Sequence, residues 1–373
     1  MVNVLSKLKI AHKLGIAACA FAVPIAFILW SLVAEQNVAI RFASKEVMGA
    51  RYLAGIARLQ GQLDIAALNR TGLPDRAADA LAALGASARG LKVEPQLSAA
   101  VSALRAASAP SALADARDKL HDLIDRVADR SNLTLDNVLA TNHLSDVVLN
   151  GLPDAVDRIA DLTLAQEKSA KDSKAQARFL VGLGALKGDL GSMDDSLTAA
   201  EQAPGGGHIK AALDGDYQNL RASLSGFIKS LKAGTASPRA ARRQVAQVTR
   251  FSRSTADELA WILKARVARL HEAELRMFGL TLLLFLAAVG GMLWALCSGV
   301  TRPLARITES MRSLAGGDLE VEVPGIGRGD EIGAMAGAVQ VFKENALRTQ
   351  ALEQEQEQGR QAAEAERREH EAE

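Results

Sequence analysis

The chain has 373 residues, 44 Lys and Arg against 43 Asp and Glu, a formal net charge of +1 and only 4% aromatics. That balance gives no basic footprint for nucleic acid, and two cysteines, Cys19 and Cys297, each inside an apolar run, exclude a disulfide framework. Abundant alanine and scarce strict alternation favour slim, close-packed helices over sheets, and the length allows two or three domains. Both cysteines read as small packing residues.

Residues 1–13 carry Lys7, Lys9 and Lys13 with no acid between them, which places the N-terminus in the cytoplasm. Leu14 to Ala34 follows with 21 residues and no charge. As a helix it covers roughly 30 Å, the thickness of a bilayer core, so residues 14–34 are read as a first transmembrane helix. The run is too long for the apolar part of an ordinary signal peptide. Pro24 is placed to kink it.

Residues 35–276 repeat apolar positions at helical spacing. Breaks are expected at Gly72-Leu73-Pro74, from Arg89 to Pro95, at Ala109-Pro110, at Gly151-Leu152-Pro153, from Ala203 to Gly207 and from Gly234 to Pro238, leaving about seven helices. Ser111, Asp154 and Ser237 stand at expected N-caps. The expected architecture is an elongated helical bundle whose first and last helices continue into the two spans.

Two stretches of this segment invite a functional reading. "VGLGALKGDLG" has Gly182, Gly184, Gly188 and Gly191, but they sit in a helical run without the strand that a dinucleotide loop needs. Close helix contact or a flexible point is expected there. "DRSNLTLDNVLATNHLSD" reads as the most polar helical stretch. Its Arg130, Asn132, Asp136, Asn142, His143 and Asp146 are candidates to line a ligand pocket, with Arg130 offering a bidentate fork to a carboxylate. The plainer alternative is a solvated helix face. His143 and Asp146 are too few for a metal site, and no HExxH, paired CxxC or nucleophile motif occurs. No catalytic residue, metal or cofactor is therefore expected, and the chain does not read as an enzyme.

Met277 to Thr301 contains 25 uncharged residues and supplies a second transmembrane helix, taken as 277–300. Lys264, Arg266, Arg269 and Arg276 precede it, and Arg302, Arg306 and Arg312 follow. Orientation therefore follows the first span, which returns the C-terminus to the cytoplasm. Ala287 and Gly291 share a face on which two helices can approach closely.

Beyond this span, Leu304, Ile307, Met311 and Leu314 form one short heptad seam, and Ile332, Met335, Val339 and Phe342 form another. Two chains side by side would make a four-helix bundle from these seams. The intervening "AGGDLEVEVPGIGRGDEIG" alternates Leu319, Val321 and Val323 with acids. It is long enough to run extended back along a helix, with Leu319 and Val321 packed inward and glycines at 316, 317, 325, 327 and 329 allowing the turns.

Residues 301–352 closely resemble a HAMP domain, through Pro303 near the start of the first helix, the Gly317-Asp318-Leu319 turn and Asp330-Glu331-Ile332-Gly333 opening the second. "AVQVFKENAL" and the order of span, outer bundle, span and HAMP resemble bacterial methyl-accepting chemotaxis receptors and many membrane histidine kinases. The outer segment resembles a helical-bundle sensor domain, more weakly and without transferable binding residues.

The resemblance implies an all-α protein: two transmembrane helices flanking an elongated extracytoplasmic helical bundle, then a HAMP parallel four-helix bundle formed by a dimer, then a charged helical tail at 353–373. It implies a two-pass protein of the bacterial inner membrane, with both termini cytoplasmic and a periplasmic sensor. The implied partners are a second copy through HAMP and the spans, the lipid bilayer, and a small molecule or a periplasmic binding protein carrying one. Pro303 would set the helix entry, and Glu331 would lie near the connector and the end of the first helix. A chemotaxis kinase and adaptor are implied only if an output domain follows, and the tail reads as the start of a linker to it. Alternatives are the N-terminal half of a sensor histidine kinase and an output-less membrane scaffold.

Overall fold

The computed structural model describes residues 10–85 and 90–370, with side chains from 23 to 363. It holds eleven α-helices and no strand among the described residues. They are α1 (Ile10–Asn69), α2 (Arg76–Gly85), α3 (Glu94–Ala106), α4 (Leu113–Arg130), α5 (Leu139–Asp146), α6 (Leu152–Ser169), α7 (Ser173–Gln202), α8 (Gly207–Lys232), α9 (Pro238–Leu296), α10 (Arg302–Ala315) and α11 (Glu331–His370). The fold is all-α, and α1 and α9 are long and apolar enough to cross a membrane. Helix α1 runs through Pro24 without a break.

Two compact units emerge: Ala34–Leu275, and Met1–Val33 together with Arg276–Glu373. In the first, α8 shows why the sequence folds as it does. Ile209, Leu213, Tyr217, Leu220, Leu224, Phe227 and Leu231 recur every three or four residues and are all buried. Helix α4 does the same with Leu113, Ala116, Leu120, Leu123, Ile124 and Val127. These stripes meet in one continuous core that also takes Ile56, Leu63, Leu152, Ile159, Leu186, Val245 and Leu259.

Helix boundaries follow local chemistry, and not always as expected. Ser237 caps α9, its Oγ accepting from the Ala240 N–H at 3.2 Å. Ser111 lies instead inside the 3-10 turn Pro110–Ala112, and Asp154 inside the first turn of α6. Two breaks escape the sequence pattern. Asp172 ends the gap before α7 by capping it, accepting from the Lys174 N–H at 3.1 Å. The stretch from Ser131 to Val138, expected to be helical, leaves the helix because Asn132 adopts a left-handed φ of 66°.

Conversely, Gly151-Leu152-Pro153 is no break. The chain stays helical through a π turn, Val147–Gly151, closed by the Leu152 N–H on the Val147 carbonyl. A second π turn, Cys297–Thr301, is closed by the Arg302 N–H on the Cys297 carbonyl. Each lies just ahead of a proline, Pro153 or Pro303. A proline ring collides with the carbonyl four residues back and brings no N–H to it, and widening the turn relieves the clash.

Candidate signal-transmission site

In the second unit, α10 and α11 enclose a small core of Ile307, Leu314, Val323, Ala336 and Val339, with Leu319, Val321 and Ile332 half-buried against it. The extended connector therefore turns a whole face inward, and Val323 is its most buried residue. Ser310 Oγ donates to the Glu322 carbonyl at 3.1 Å, and Lys343 Nζ to the Val321 carbonyl at 2.8 Å. Turns at its ends use positive φ at Gly317, Gly325 and Gly327, while Gly316 and Gly329 do not need it.

The connector also fixes direction. Arg328, just before α11, reaches Gly299, just before α10, and the connector's Glu322 lies against Ser310 within α10. The helices are therefore parallel. Glu331 consequently starts α11 beside the start of α10, not beside its end as expected. It is exposed and forms no side-chain hydrogen bond among the described residues.

The geometry at this start is specific. In a regular α-helix the N–H at position 303 would donate to the Gly299 carbonyl, and Pro303 has none. Arg328 takes its place, donating from Nη2 to Gly299 O at 3.2 Å. Asp330 holds that guanidinium through bonds of 3.1, 3.2 and 2.6 Å and accepts the Gly333 N–H at 3.0 Å, capping α11. The Arg328 hydrogen bond first, then the Gly333 N–H, pull the Asp330 carboxyl down to about 2. Gly333 is required here, because a Cβ would run into the Arg328 carbonyl. The π turn between α9 and α10 is thus hydrogen-bonded, through two side chains, to the start of α11.

Other seam residues divide. Leu304 and Pro303 are half-buried, whereas Met311, Met335 and Phe342 are 41%, 48% and 54% exposed.

In the Ala34–Leu275 unit, Asp136 and Asn142 come together, but with partners the sequence did not nominate. Arg266 on α9 forks onto Asp136, Nη1 to Oδ1 at 3.0 Å and Nη2 to Oδ2 at 3.2 Å. It also reaches Glu46 Oε2 on α1 at 3.3 Å and Thr141 Oγ1 at 2.5 Å. Asn142 donates to the Asp136 carbonyl at 3.0 Å. Glu46 and Asp136 are fully buried, and Glu46 Oε1 has no partner. Burial, then the neighbouring Asp136 charge, push the Glu46 carboxyl up to about 7, against the pull of Arg266.

Asp146 instead bonds α7, accepting from Ser196 at 3.0 Å, and accepts from Asn150 at 2.8 Å. Arg130, Asn132 and His143 make no side-chain hydrogen bond to this cluster, so the six candidates do not converge on one pocket.

A second buried cluster joins α1, α4 and α6. Arg117 contacts Asp64 at 2.5 Å and Asp161 at 2.9 Å, and His121 contacts Asp157 at 2.8 Å. Gln60 donates to Asp157 and to the Pro153 carbonyl. Burial and Asp157 drive the Asp64 carboxyl well above its usual range, although Arg117 opposes this. Sequence separations of 36 to 220 between the ion-pair partners hide both clusters from any local pattern. No group of three or more His, Cys, Asp and Glu poised to hold a metal occurs among the described residues.

A family model described as the HAMP domain matches residues 298–348. The chain carries a HAMP domain. It is 41% identical over 69 residues to the probable chemoreceptor y4sI of Sinorhizobium fredii (strain NBRC 101917 / NGR234), a match covering 18% of this chain and 9% of that protein. The chain thus spans a small fraction of the relative it matches. No solved structure matches. The HAMP domain and this similarity mark a chemoreceptor-like protein. Together with the two apolar helices they point to the inner membrane.

Proposed function

We propose that the chain is the sensing and transmitting part of a homodimeric two-pass chemoreceptor. Residues 14–34 and 277–300 cross the inner membrane, and both termini lie in the cytoplasm. Residues 35–276 meet a small molecule, or a binding protein carrying one, in the periplasm. The HAMP domain, residues 301–352, hands the resulting displacement to a cytoplasmic output through the helix continuing into 353–373.

One observation carries this reading: the carbonyl left open by Pro303 is held by Arg328, and Arg328 by the cap of α11. A shift of the second span would then act on both HAMP helices, not on α10 alone. The exposed seam side chains Met311, Met335 and Phe342 fit a second copy, which completes a four-helix bundle with alternative packings.

The test is a chimera of this chain with the cytoplasmic output of a chemoreceptor, in cells without other receptors. Kinase output is measured against a panel of organic acids, amino acids and sugars. At least one class is expected to change it, and the change disappears when residues 35–276 are deleted. Output fixed across the panel and indifferent to the deletion would favour a rigid dimerisation stalk.

A further inference from the structure

The strongest unassigned site is a groove between α7 and α8, about 680 Å³ in volume. The two helices are antiparallel, joined by the short turn at 203–206. Its floor is apolar, with Leu183, Leu190 and Ile228. Gly184 and Gly191 belong to the glycine run that the sequence marked for close helix contact. In the structure they touch nothing: a Cβ on either would have no atom within 4 Å. Two missing side chains thus leave the α7 backbone bare where the groove needs room. Gly182, by contrast, does approach Leu162.

The rim is positive. Lys187, Lys229 and Lys232 line the groove and form no ion pair among the described residues. At the opposite end Arg221 is matched by Asp194 at 3.1 Å. Lys229 and Lys232 lie in the last turn of α8 and mark one end of the groove as the cationic one. The arrangement is an apolar trough with two unmatched lysines at one end and Lys187 beside the glycine face. The volume is within the range of small-molecule sites, and the few polar groups lie where they would orient a ligand.

We propose that this groove binds an amphiphilic organic anion, with a carboxylate at Lys229 and Lys232 and an apolar body along Leu183, Ile228 and the bare glycine face. A fully hydrated anion would gain little from the floor, and a neutral apolar molecule would leave the lysines unused. The inference rests on the receptor reading only in calling the groove a sensory site. Binding itself stands apart from it.

The test is calorimetric titration of 4-phenylbutyrate into the full chain in phosphatidylcholine nanodiscs, with empty nanodiscs subtracted. 4-Phenylbutan-1-ol and acetate separate the charge from the apolar body. The expected result is saturable binding of 4-phenylbutyrate, with the alcohol and acetate each at least tenfold weaker. A Cβ at Gly184 meets no atom within 4 Å and leucine is the better helix former, so Gly184→Leu is expected to fold, place its side chain in the trough and lose binding. Lys229→Gln with Lys232→Gln weakens binding at least tenfold, and circular dichroism melts confirm both folds.

No saturable binding, or binding that survives both variants unchanged, overturns the site. Output of the chimera toward 4-phenylbutyrate is a separate readout. Binding without an output change leaves the site standing and counts against coupling. An output response to other compounds without binding here removes the site and leaves the receptor reading intact.

Discussion

Glu46 and Arg266 hold the first helix of the Ala34–Leu275 unit to its last one, with Asp136 between them. Two buried carboxylates face one guanidinium, so Glu46 is the group in excess. Its raised value, about 7 against 4.5, means the folded state favours the protonated form. The sign follows: this stability is complete below pH 4.5 and is lost as pH rises through 7. By linkage the loss is about 3 kcal/mol at pH 8. Glu46→Gln keeps the neutral form at every pH. Denaturant unfolding at pH 5 and pH 8 is expected to show the Gln variant losing less stability between the two than the parent. An equal loss in both would show that Glu46 does not titrate in this window. None of this was legible in the sequence. In the sequence Asp136 and Asn142 stand out for polarity alone, and Arg266 only as one of several cations before a span. The partner of a buried charge can lie 220 residues away, as Glu46 does from Arg266, and no periodicity reports that distance.

At the scale of elements, the helical pattern carried most of the fold, because a buried stripe every three or four residues is a local signal. Proline was the ambiguous punctuation. Pro74, Pro110 and Pro238 stand at true boundaries, while Pro153 and Pro303 sit in helices that widen instead of stopping. Whether a proline breaks or widens a helix depends on whether packing on both sides keeps the axis continuous, which the local residues do not state. The connector was legible through its alternation, though Val323 outranks Leu319 and Val321 in burial. The π turn before α10 has a testable consequence. Restoring the N–H with Pro303→Ala lets the turn close as a regular α-helix, which removes one residue of slack and rotates the following helix by roughly 100°. The Ile307 and Leu314 face then turns away from the connector. Interchain disulfide formation by Met311→Cys is expected to fall several-fold in this variant. An unchanged rate would mean that the π turn does not set the angle of the seam.

At the scale of the whole molecule, two apolar helices, a helical unit between them and a HAMP domain after the second make up the chain. The HAMP match covers residues 298–348 and leaves the Ala34–Leu275 unit outside it. Displacement of the second span is expected to reach α11 through Gly299, Arg328 and Asp330. Trp294 is 74% exposed near the end of that span and is suited to anchor it at the membrane surface. Moving the anchor by one residue displaces the helix by about 1.5 Å. The measurement is the rate of interchain disulfide formation by Met311→Cys in the full chain, with Cys19 and Cys297 replaced by alanine. It is made with tryptophan at 293, 294 or 295, and repeated with Arg328→Ala. The account predicts rates that change in opposite directions for the two shifts, and a response that Arg328→Ala largely removes. Equal rates at all three anchor positions would contradict it.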